Sequence, residues 1–379
     1  MKDHAFSLRR LAAIMAKEFI QLRRDRLTFA MMVVIPIVQM ALFGYAINGD
    51  PKSLPTAVVA HEQGPFTRSL VRSLENTGYF RVVATDLDEA AAERALAEGD
   101  VQFVLTVPAG FARALMRGER PAVLLEADAT DPSATGNAIG AIAQLGTGAL
   151  AHDLAGPLRS LAPAAPAFEW RVHRRYNPEG ITQYNVVPGL MGVILTMTMI
   201  MMTALGVTRE VERGTMENLL ATPVRPLEVM VGKIAPYIAI GYVQISVILT
   251  VAHFLFHVPF AGSLPLLLAG VMVFIFASLT VGITISSIAR SQTQAMQMTF
   301  FFFLPSILLS GFMFPFRGMP GWAQTIGEVL PLTHFLRIVR GVMLKGNDAL
   351  QLWPHVWPLL LFTVVVMGVG LKRFRRTLD

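Results

Sequence analysis

Two small groups of side chains have the residue types that bind metal ions. Glu126, Asp128 and Asp131 lie close together in one acidic run, and carboxylate oxygens are ligands of hard cations. His253 and His257 are four residues apart, which places both imidazoles on one face of a helix. A turn followed by a helix N-cap explains the acidic run more simply, and interfacial packing explains the histidines, since their segment offers no carboxylate. We therefore predict no metal site.

The composition excludes several other kinds of chemistry. The chain has no cysteine, which rules out disulfides, thiol catalysis and cysteine-based metal sites. It also contains no G-x-x-x-x-G-K-[ST] sequence, because Gly232 and Lys233 are followed by Ile234 and lack the upstream glycine. No Ser/His/Asp spacing in the polar part of the chain indicates catalysis. We predict no catalytic residue, no bound cofactor and no enzymatic activity of the chain by itself.

The strongest candidate for a functional segment is a charged stretch between two apolar runs, residues 208–233 (TREVERGTMENLLATPVRPLEVMVGK). Charged residues are costly in hydrocarbon, so this segment must lie at a membrane face. Its first half has helical periodicity. Gly214 within that half lowers helix stability by about 1 kcal/mol relative to alanine, and Pro223 and Pro226 stiffen the turn that follows. The pattern fits a lever that transmits a partner's displacement, and it fits a plain connecting loop equally well.

A charged segment at a membrane face implies a membrane protein, and the overall composition of the chain is that of a membrane protein. The chain of 379 residues is 53% hydrophobic and 15% charged, with a mean hydropathy of +0.52, which calls for several membrane-spanning helices. The net charge of +6 does not indicate nucleic acid binding, because the basic residues gather at the edges of apolar runs.

The apolar runs predict six transmembrane helices, covering residues 27–47, 186–207, 234–256, 264–288, 296–314 and 356–371. A basic amphipathic segment, residues 1–26, is predicted to lie along the membrane surface before the first span, although its pattern fits a solvated lead-in equally well. A basic tail, residues 372–379, follows the last span. Residues 315–354 are too charged for a clean crossing. They are predicted to form a re-entrant or surface-lying helical pair at the outer face.

Residues 48–185 have the composition of a soluble α/β domain. Runs typical of strands at 56–60, 80–85, 101–107 and 122–126 alternate with helical patterns at 65–76, 87–98, 108–117 and 132–154. Asp86 or Asp88 is expected to cap the second helix and Gly99 to end it. The predicted fold is a six-helix integral membrane protein with an extracytoplasmic α/β domain inserted between the first and second spans.

The distribution of basic residues orients this topology. Six spans place both termini on one side, and that side holds sixteen lysines and arginines against four in the short loops opposite. The positive-inside rule then places residues 208–233 and both termini in the cytoplasm, with the α/β domain outside.

Several separated motifs resemble one family of transporters. The run REVERGTMENLLATPVRPLEVMVGK looks like the signature segment of membrane subunits of ABC exporters of the type-2 permease family. Four further segments resemble the same family: Tyr176-Asn177-Pro178, Val187-Pro188-Gly189-Leu190, the LPSILLSGFMFP stretch at 304–315 and Met319-Pro320-Gly321-Trp322. The likeness covers nearly the whole chain. The acidic run that begins at Glu126 departs from the Asp-Gly-type turn expected there.

The resemblance implies a permease subunit in a bacterial inner membrane that exports a drug-like or lipid-like amphiphile. It implies a separate cytoplasmic ATPase that holds ATP and Mg, a second permease copy or close paralogue, contact with membrane lipid, and a periplasmic adaptor as a further partner. The residues it implies for contact with the ATPase are Glu210, Glu212, Arg213, Gly214, Thr215 and Glu217. The residues it implies for the substrate path, between the second and fifth spans of two protomers, are Met197, Thr198, Met201, Gln294, Gln297, Thr299, Phe301 and Pro305.

Two other classes compete with a transporter driven by ATP. A membrane sensor would bind a ligand with the α/β domain and signal through a cytoplasmic partner, because the cytoplasmic loops are too short to hold an output domain. A secondary transporter predicts ionisable residues within the spans and repeated halves. The sequence has almost none of the former and no internal repeat.

Overall fold

The computed structural model of the protein describes residues 51–85, 87–145, 149–150, 153, 167–212 and 226–376. These residues form an α/β domain followed by a bundle of helices. The predicted surface helix and first span, residues 213–225 of the charged segment and the last three residues of the tail lie outside the described residues.

The α/β domain alternates strands and helices along the chain. Its elements are β1 (Leu54–Ala60), α1 (Pro65–Asn76), β2 (Phe80–Ala84), α2 (Glu89–Glu98), β3 (Phe103–Val107), α3 (Phe111–Met116), β4 (Ala122–Asp128), α4 (Pro132–Leu145) and β5 (Glu169–Arg175). The sheet order is β2-β1-β3-β4-β5, with β3 and β4 antiparallel and the other neighbours parallel.

Helices cover both faces of this sheet. Val58 of β1 packs in one apolar cluster with residues of α1, α3 and α4, while Ala57 and Val59 pack in a second cluster with Ala92 and Leu96 of α2. A strand that is covered on both faces has a nearly continuous apolar sequence, and residues 56–60 have this pattern.

The structure contains the four predicted strands and adds a fifth, β5, which was not predicted. Its side chains are mostly exposed because it forms the edge of the sheet and five of its seven residues are glutamate, arginine or histidine. The cap predicted for α2 is present: the carboxylate of Asp88 accepts a hydrogen bond from Ala91 N at 2.6 Å, and Gly99 ends the helix with φ of 85°.

The bundle follows β5 directly. Its elements are α5 (Thr182–Glu212), α6 (Pro226–Phe254), α7 (Leu264–Ile288), α8 (Gln292–Leu309), α9 (Gly321–Val329), α10 (Pro331–Arg340), a π-helical turn (Gly341–Lys345) and α11 (Ala349–Arg376). Within the described ranges, four helical stretches are long and apolar enough to cross a membrane: Thr182–Arg209, Pro236–Phe254, Leu264–Ile288 and Ala349–Gly370.

The remaining predicted span, residues 296–314, corresponds to α8, which begins four residues earlier and ends five residues earlier. This helix is not among the four apolar stretches. Three glutamines near its start, Gln292, Gln294 and Gln297, lower its hydropathy. A count of six spans therefore stays a prediction.

The charged region 315–354 contains the helical pair α9–α10, as its composition indicated. Most of α10 is buried, and it contacts α5, α7 and α11. The ring of Phe335 on α10 stacks on Phe274 of α7 with 4.0 Å between centroids and 7° between planes. Helix α10 is thus packed among the long helices, whereas α9 is mostly exposed.

Gly282 allows a close contact between α5 and α7. A methyl group added at Gly282 of α7 would lie 2.7 Å from Cβ of Thr203 and 2.8 Å from the carbonyl oxygen of Ile200. Close helix approach through small residues is a common source of stability in membrane proteins, because apolar burial between spans gains little over lipid.

We expect Gly282→Ala to destabilise the bundle by about 1–3 kcal/mol, since the backbone carbonyl of Ile200 cannot yield without moving α5. Unfolding of the purified chain in mild detergent would measure this. Gly368→Ala in α11 is the matched control, because nothing lies within 4 Å of its added methyl group. Equal stability of the two variants would contradict the close packing of α5 on α7.

Candidate functional site

Helices α5 and α8 pack against each other, and each has an apolar stripe that the other described residues leave uncovered. On α5 the stripe begins with Leu190 and Ile194, which are 38% and 37% exposed. On α8 it consists of Met296, Phe300 and Phe301. Each stripe follows helical spacing, so each is one face of its helix. Such faces require lipid, a second protein or an apolar ligand as cover.

The candidate path residues on α5 divide between two environments. Met197 and Met201 continue the spacing of Leu190 and Ile194 and are partly exposed. The hydroxyl of Thr198 donates to the carbonyl oxygen of Ile194 within α5 at 2.7 Å and lies 3.0 Å from Oε1 of Gln244 on α6. The two methionines therefore belong to the uncovered stripe, whereas the hydroxyl of Thr198 is engaged with polar groups of α5 and α6.

The candidates on α8 divide in the same way. Phe301 lies on the uncovered stripe. Thr299 is fully buried and donates to the carbonyl of Ala295 at 2.8 Å, and Gln294 accepts from Arg290 N at 2.9 Å. Gln297 and Pro305 are half-buried. Of the eight candidates, Met197, Met201 and Phe301 are placed where an apolar molecule or a second protomer could contact them.

The charged end of α5 is joined to the start of α8. Both carboxylate oxygens of Glu212 accept hydrogen bonds from Gln292, one from its backbone N at 2.9 Å and one from Nε2 at 2.6 Å. A negative charge is favourable at a helix N-terminus, where backbone N–H groups lack partners. A displacement of the charged segment would therefore act on α8 as well as on α5.

Glu212 is the candidate coupling residue whose side chain the structure describes, and it is exposed. Glu210 falls within α5, while Arg213, Gly214, Thr215 and Glu217 lie outside the described residues. The 31 residues of α5 span about 46 Å, which exceeds the thickness of a hydrocarbon core. The α/β domain, at the start of α5, and Glu212 therefore lie at opposite ends of a helix long enough to cross.

A buried ion pair fastens the α/β domain to the bundle. Nζ of Lys345, in the π-helical turn, lies 2.6 Å from Oδ2 of Asp128 at the end of β4, and both side chains are 9% exposed. Tyr176 lies beside this pair, and its pKa is raised to about 12 by burial and by the charge of Asp128. The phenol therefore remains neutral next to the pair.

The same region binds the end of helix α2. Its last carbonyl groups lack partners within the helix, and the negative end of the helix dipole favours cations there. Three side chains of the bundle donate to these carbonyls: Lys345 to Leu96 at 3.2 Å, Asn347 to Ala97 at 3.1 Å and Arg317 to Gly99 at 3.4 Å. We call these contacts, together with the Lys345–Asp128 pair, the domain latch.

A turn held by the side chain of Asn177 joins β5 to α5. Asn177 is fully buried; its Oδ1 accepts from Ile181 N at 2.9 Å, and its Nδ2 donates to the carbonyl of Ile181 at 3.0 Å. Tyr176, immediately before it, has a left-handed φ of 68°. The Tyr-Asn-Pro motif is therefore a fixed corner that joins the domain to α5.

The two groups first considered as metal ligands have other contacts. In the acidic run, Glu126 accepts from Nε of Arg175 at 2.7 Å, and Asp131 accepts from Ser133 N at 3.1 Å. His253 packs edge-on against Phe254, and His257 lies in the turn after α6. Among the described residues, no group of three or more His, Asp or Glu is placed to hold a metal ion.

Comparison with known proteins places the chain in a family. The sequence model of the ABC-2 family transporter protein family matches residues 26–372. The "Probable multidrug ABC transporter permease YbhS" of Escherichia coli strain K12 is 28% identical over 384 residues, covering 100% of both chains.

Two further relatives from the same organism are also transport permeases by name. The "Probable multidrug ABC transporter permease YbhR" is 27% identical, covering 97% of this chain and 98% of its own. The "Inner membrane transport permease YhhJ" is 28% identical, covering 98% of each. These matches favour the transporter interpretation over the sensor. The chain belongs to the ABC-2 family of transporter proteins and is a permease subunit of that family.

Proposed function

We propose that this permease subunit exports hydrophobic or amphiphilic compounds, drug-like or lipid-like, across a bacterial inner membrane. The observation that carries the proposal is the pair of uncovered apolar stripes on α5 and α8, which contain Met197, Met201 and Phe301. Methionine and phenylalanine offer adaptable apolar contact without a fixed hydrogen-bonding pattern, which suits a path for varied apolar molecules. The named multidrug permeases among the relatives support the same substrate class.

Two protomers, either two copies or this chain with a close paralogue, would bring these stripes together around the substrate. Each stripe is too apolar to face water, and each lies on one side of its helix. A shared interface between α5 and α8 of two chains would cover both. The protein would have six spans, with both termini in the cytoplasm and the α/β domain outside, where an adaptor could dock.

The energy would come from a separate ATPase, because this sequence lacks a P-loop. Residues Glu210 to Glu217 would receive its movement, and Glu212 would pass it to α8 through Gln292. The basic residues support this orientation, since the charged segment lies on the side with sixteen lysines and arginines.

Purification of the tagged chain from its own membranes tests the proposal. We expect an ATPase subunit to co-purify and ATP hydrolysis to occur only in the preparation that contains it. The chain expressed alone should hydrolyse no more ATP than a detergent blank. Strong hydrolysis by the chain alone would refute the proposal.

A further inference from the structure

A polar cavity of about 310 Å³ lies between the α/β domain and the α9–α10 pair. On the domain side it is lined by the turn that follows α2 and by the end of β4. On the bundle side it is lined by α9, α10 and the π-helical turn. This volume is at the low end of the range for small-molecule pockets and far exceeds the space that one water molecule occupies.

Most of the cationic side chains around this cavity have acceptors within the protein. Both Nη atoms of Arg337 donate to the carboxylate of Glu328, at 2.8 and 2.6 Å. Lys345 and Arg317 are held by the domain latch. Arg337 and Lys345 are therefore paired with carboxylates, whereas Arg317 is exposed and uses one of its five N–H groups in the latch.

Arg340 at the end of α10 is different. Its Nη1 donates to the carbonyl of Gly311 at 3.2 Å, but Nε and Nη2 are buried and have no hydrogen-bond partner among the described residues. These two atoms lie on the same edge of the planar guanidinium, so one complete donor edge is open. Gln102, across the cavity, also has a buried oxygen without a partner.

The guanidinium of Arg340 is shielded from water at Nε and Nη2, while the residue as a whole is half-buried. Burial lowers its pKa, and the charges of Asp131 and Asp128 oppose that shift. Neither carboxylate hydrogen-bonds the guanidinium: Asp128 bonds Lys345 and Thr130, and Asp131 bonds Ser133 and Asn185. An arginine remains protonated in proteins, and leaving two of its buried donors unpaired is costly.

We propose that this cavity binds an anionic group with two adjacent oxygens, a carboxylate or a phosphate, on the open Nε–Nη2 edge of Arg340. The fork geometry of a guanidinium matches such an oxygen pair, and charge-assisted bidentate contacts are stronger than neutral hydrogen bonds. Gln102 would accept a hydrogen bond from a hydroxyl or amino group on the same ligand. The bound group would touch both sides of the domain latch and would stabilise the docked position of the α/β domain. The site does not depend on the proposed transport function.

The test uses the full chain in nanodiscs of phosphatidylcholine, without ATP. Inorganic phosphate and acetate are titrated as free anions, and a parallel set of nanodiscs contains phosphatidylglycerol as a lipid source of the same chemistry. The thermal midpoint of unfolding, followed by tryptophan fluorescence, reports binding. We expect at least one of the three probes to raise the midpoint, and the responding arm distinguishes a free anion from a lipid headgroup.

Arg340→Gln should weaken the apparent affinity for that probe at least about tenfold, because it removes the charge and the fork. Arg340→Lys keeps the charge but not the fork, so it should bind more weakly than the wild type while folding normally. Arg171→Gln, at an exposed arginine of β5, is the matched control and should bind as the wild type does. The proposal is overturned if no probe raises the midpoint, or if the Arg340 variants respond as the wild type does.

Discussion

Replacing Lys345 by methionine is expected to lower the free energy of unfolding by about 3–5 kcal/mol, because it leaves the carboxylate of Asp128 buried without its cation. Methionine keeps most of the length of the side chain, so the loss comes from the charge and its hydrogen bonds. Denaturant titration of the purified chain in mild detergent would measure the difference.

The control for this prediction is an ion pair at the surface. Arg117 and Glu119 lie 3.6 Å apart with side chains 64% and 55% exposed, and such pairs contribute about 0–1 kcal/mol. Arg117→Met should therefore change stability little. The double variant Lys345→Met with Asp128→Asn should recover part of the loss, since it no longer buries an unpaired charge. If Lys345→Met costs no more than Arg117→Met, the latch does not hold the domain.

Replacing Glu212 by lysine is expected to abolish transport while leaving the chain inserted in the membrane. The change removes both hydrogen bonds to Gln292 and places a positive charge at the positive end of the α8 dipole. The ends of α5 and α8 would then separate where the ATPase is proposed to act. Efflux of a fluorescent hydrophobic cation from cells that also express the partner ATPase would measure the effect, with membrane content checked by blotting.

Three further variants extend that experiment. Glu212→Gln keeps the length and one acceptor oxygen, so it should retain part of the efflux. Glu179→Lys reverses an exposed charge in the turn before α5, at the other end of the helix, and should transport normally. Gly214→Pro is expected to abolish efflux as well, by fixing the backbone of the charged segment. Normal efflux in both Glu212→Lys and Gly214→Pro would exclude the coupling role.

The local elements of this protein could be predicted from sequence because their signals are local. Helices α5, α6 and α7 follow from the length of their apolar runs, and the alternation of strands and helices in the α/β domain follows from periodicity. The cap at Asp88 and the end of α2 at Gly99 follow from single residue types.

Boundaries were less predictable where proline lies inside a helix. The last span was expected to begin at residue 356, but α11 begins at Ala349 and contains Pro354 and Pro358. Proline is tolerated in membrane helices because neighbouring groups satisfy the freed carbonyls. A proline in such a run is therefore a weak signal for a helix end.

The domain latch and the open edge of Arg340 could not be predicted from the sequence. Lys345 and Asp128 are 217 residues apart, and the acidic run alone indicated a turn and a cap. Arg340 is one of several basic residues in a charged stretch, and only the packing of α10 shows that two of its donors lack partners. These features depend on how the α/β domain meets the bundle.

The central claim, export driven by a separate ATPase, is tested most directly by transport into inside-out membrane vesicles. The vesicles contain this chain alone, the chain with the ATPase that co-purifies with it, or that pair with the P-loop lysine of the ATPase replaced. The probes are a fluorescent hydrophobic cation and a fluorescent phospholipid. We predict accumulation of at least one probe only in the vesicles with the intact pair, and only when ATP is added. Accumulation of a probe to the same extent by the chain alone, or no ATP-dependent accumulation by the intact pair, would contradict the account.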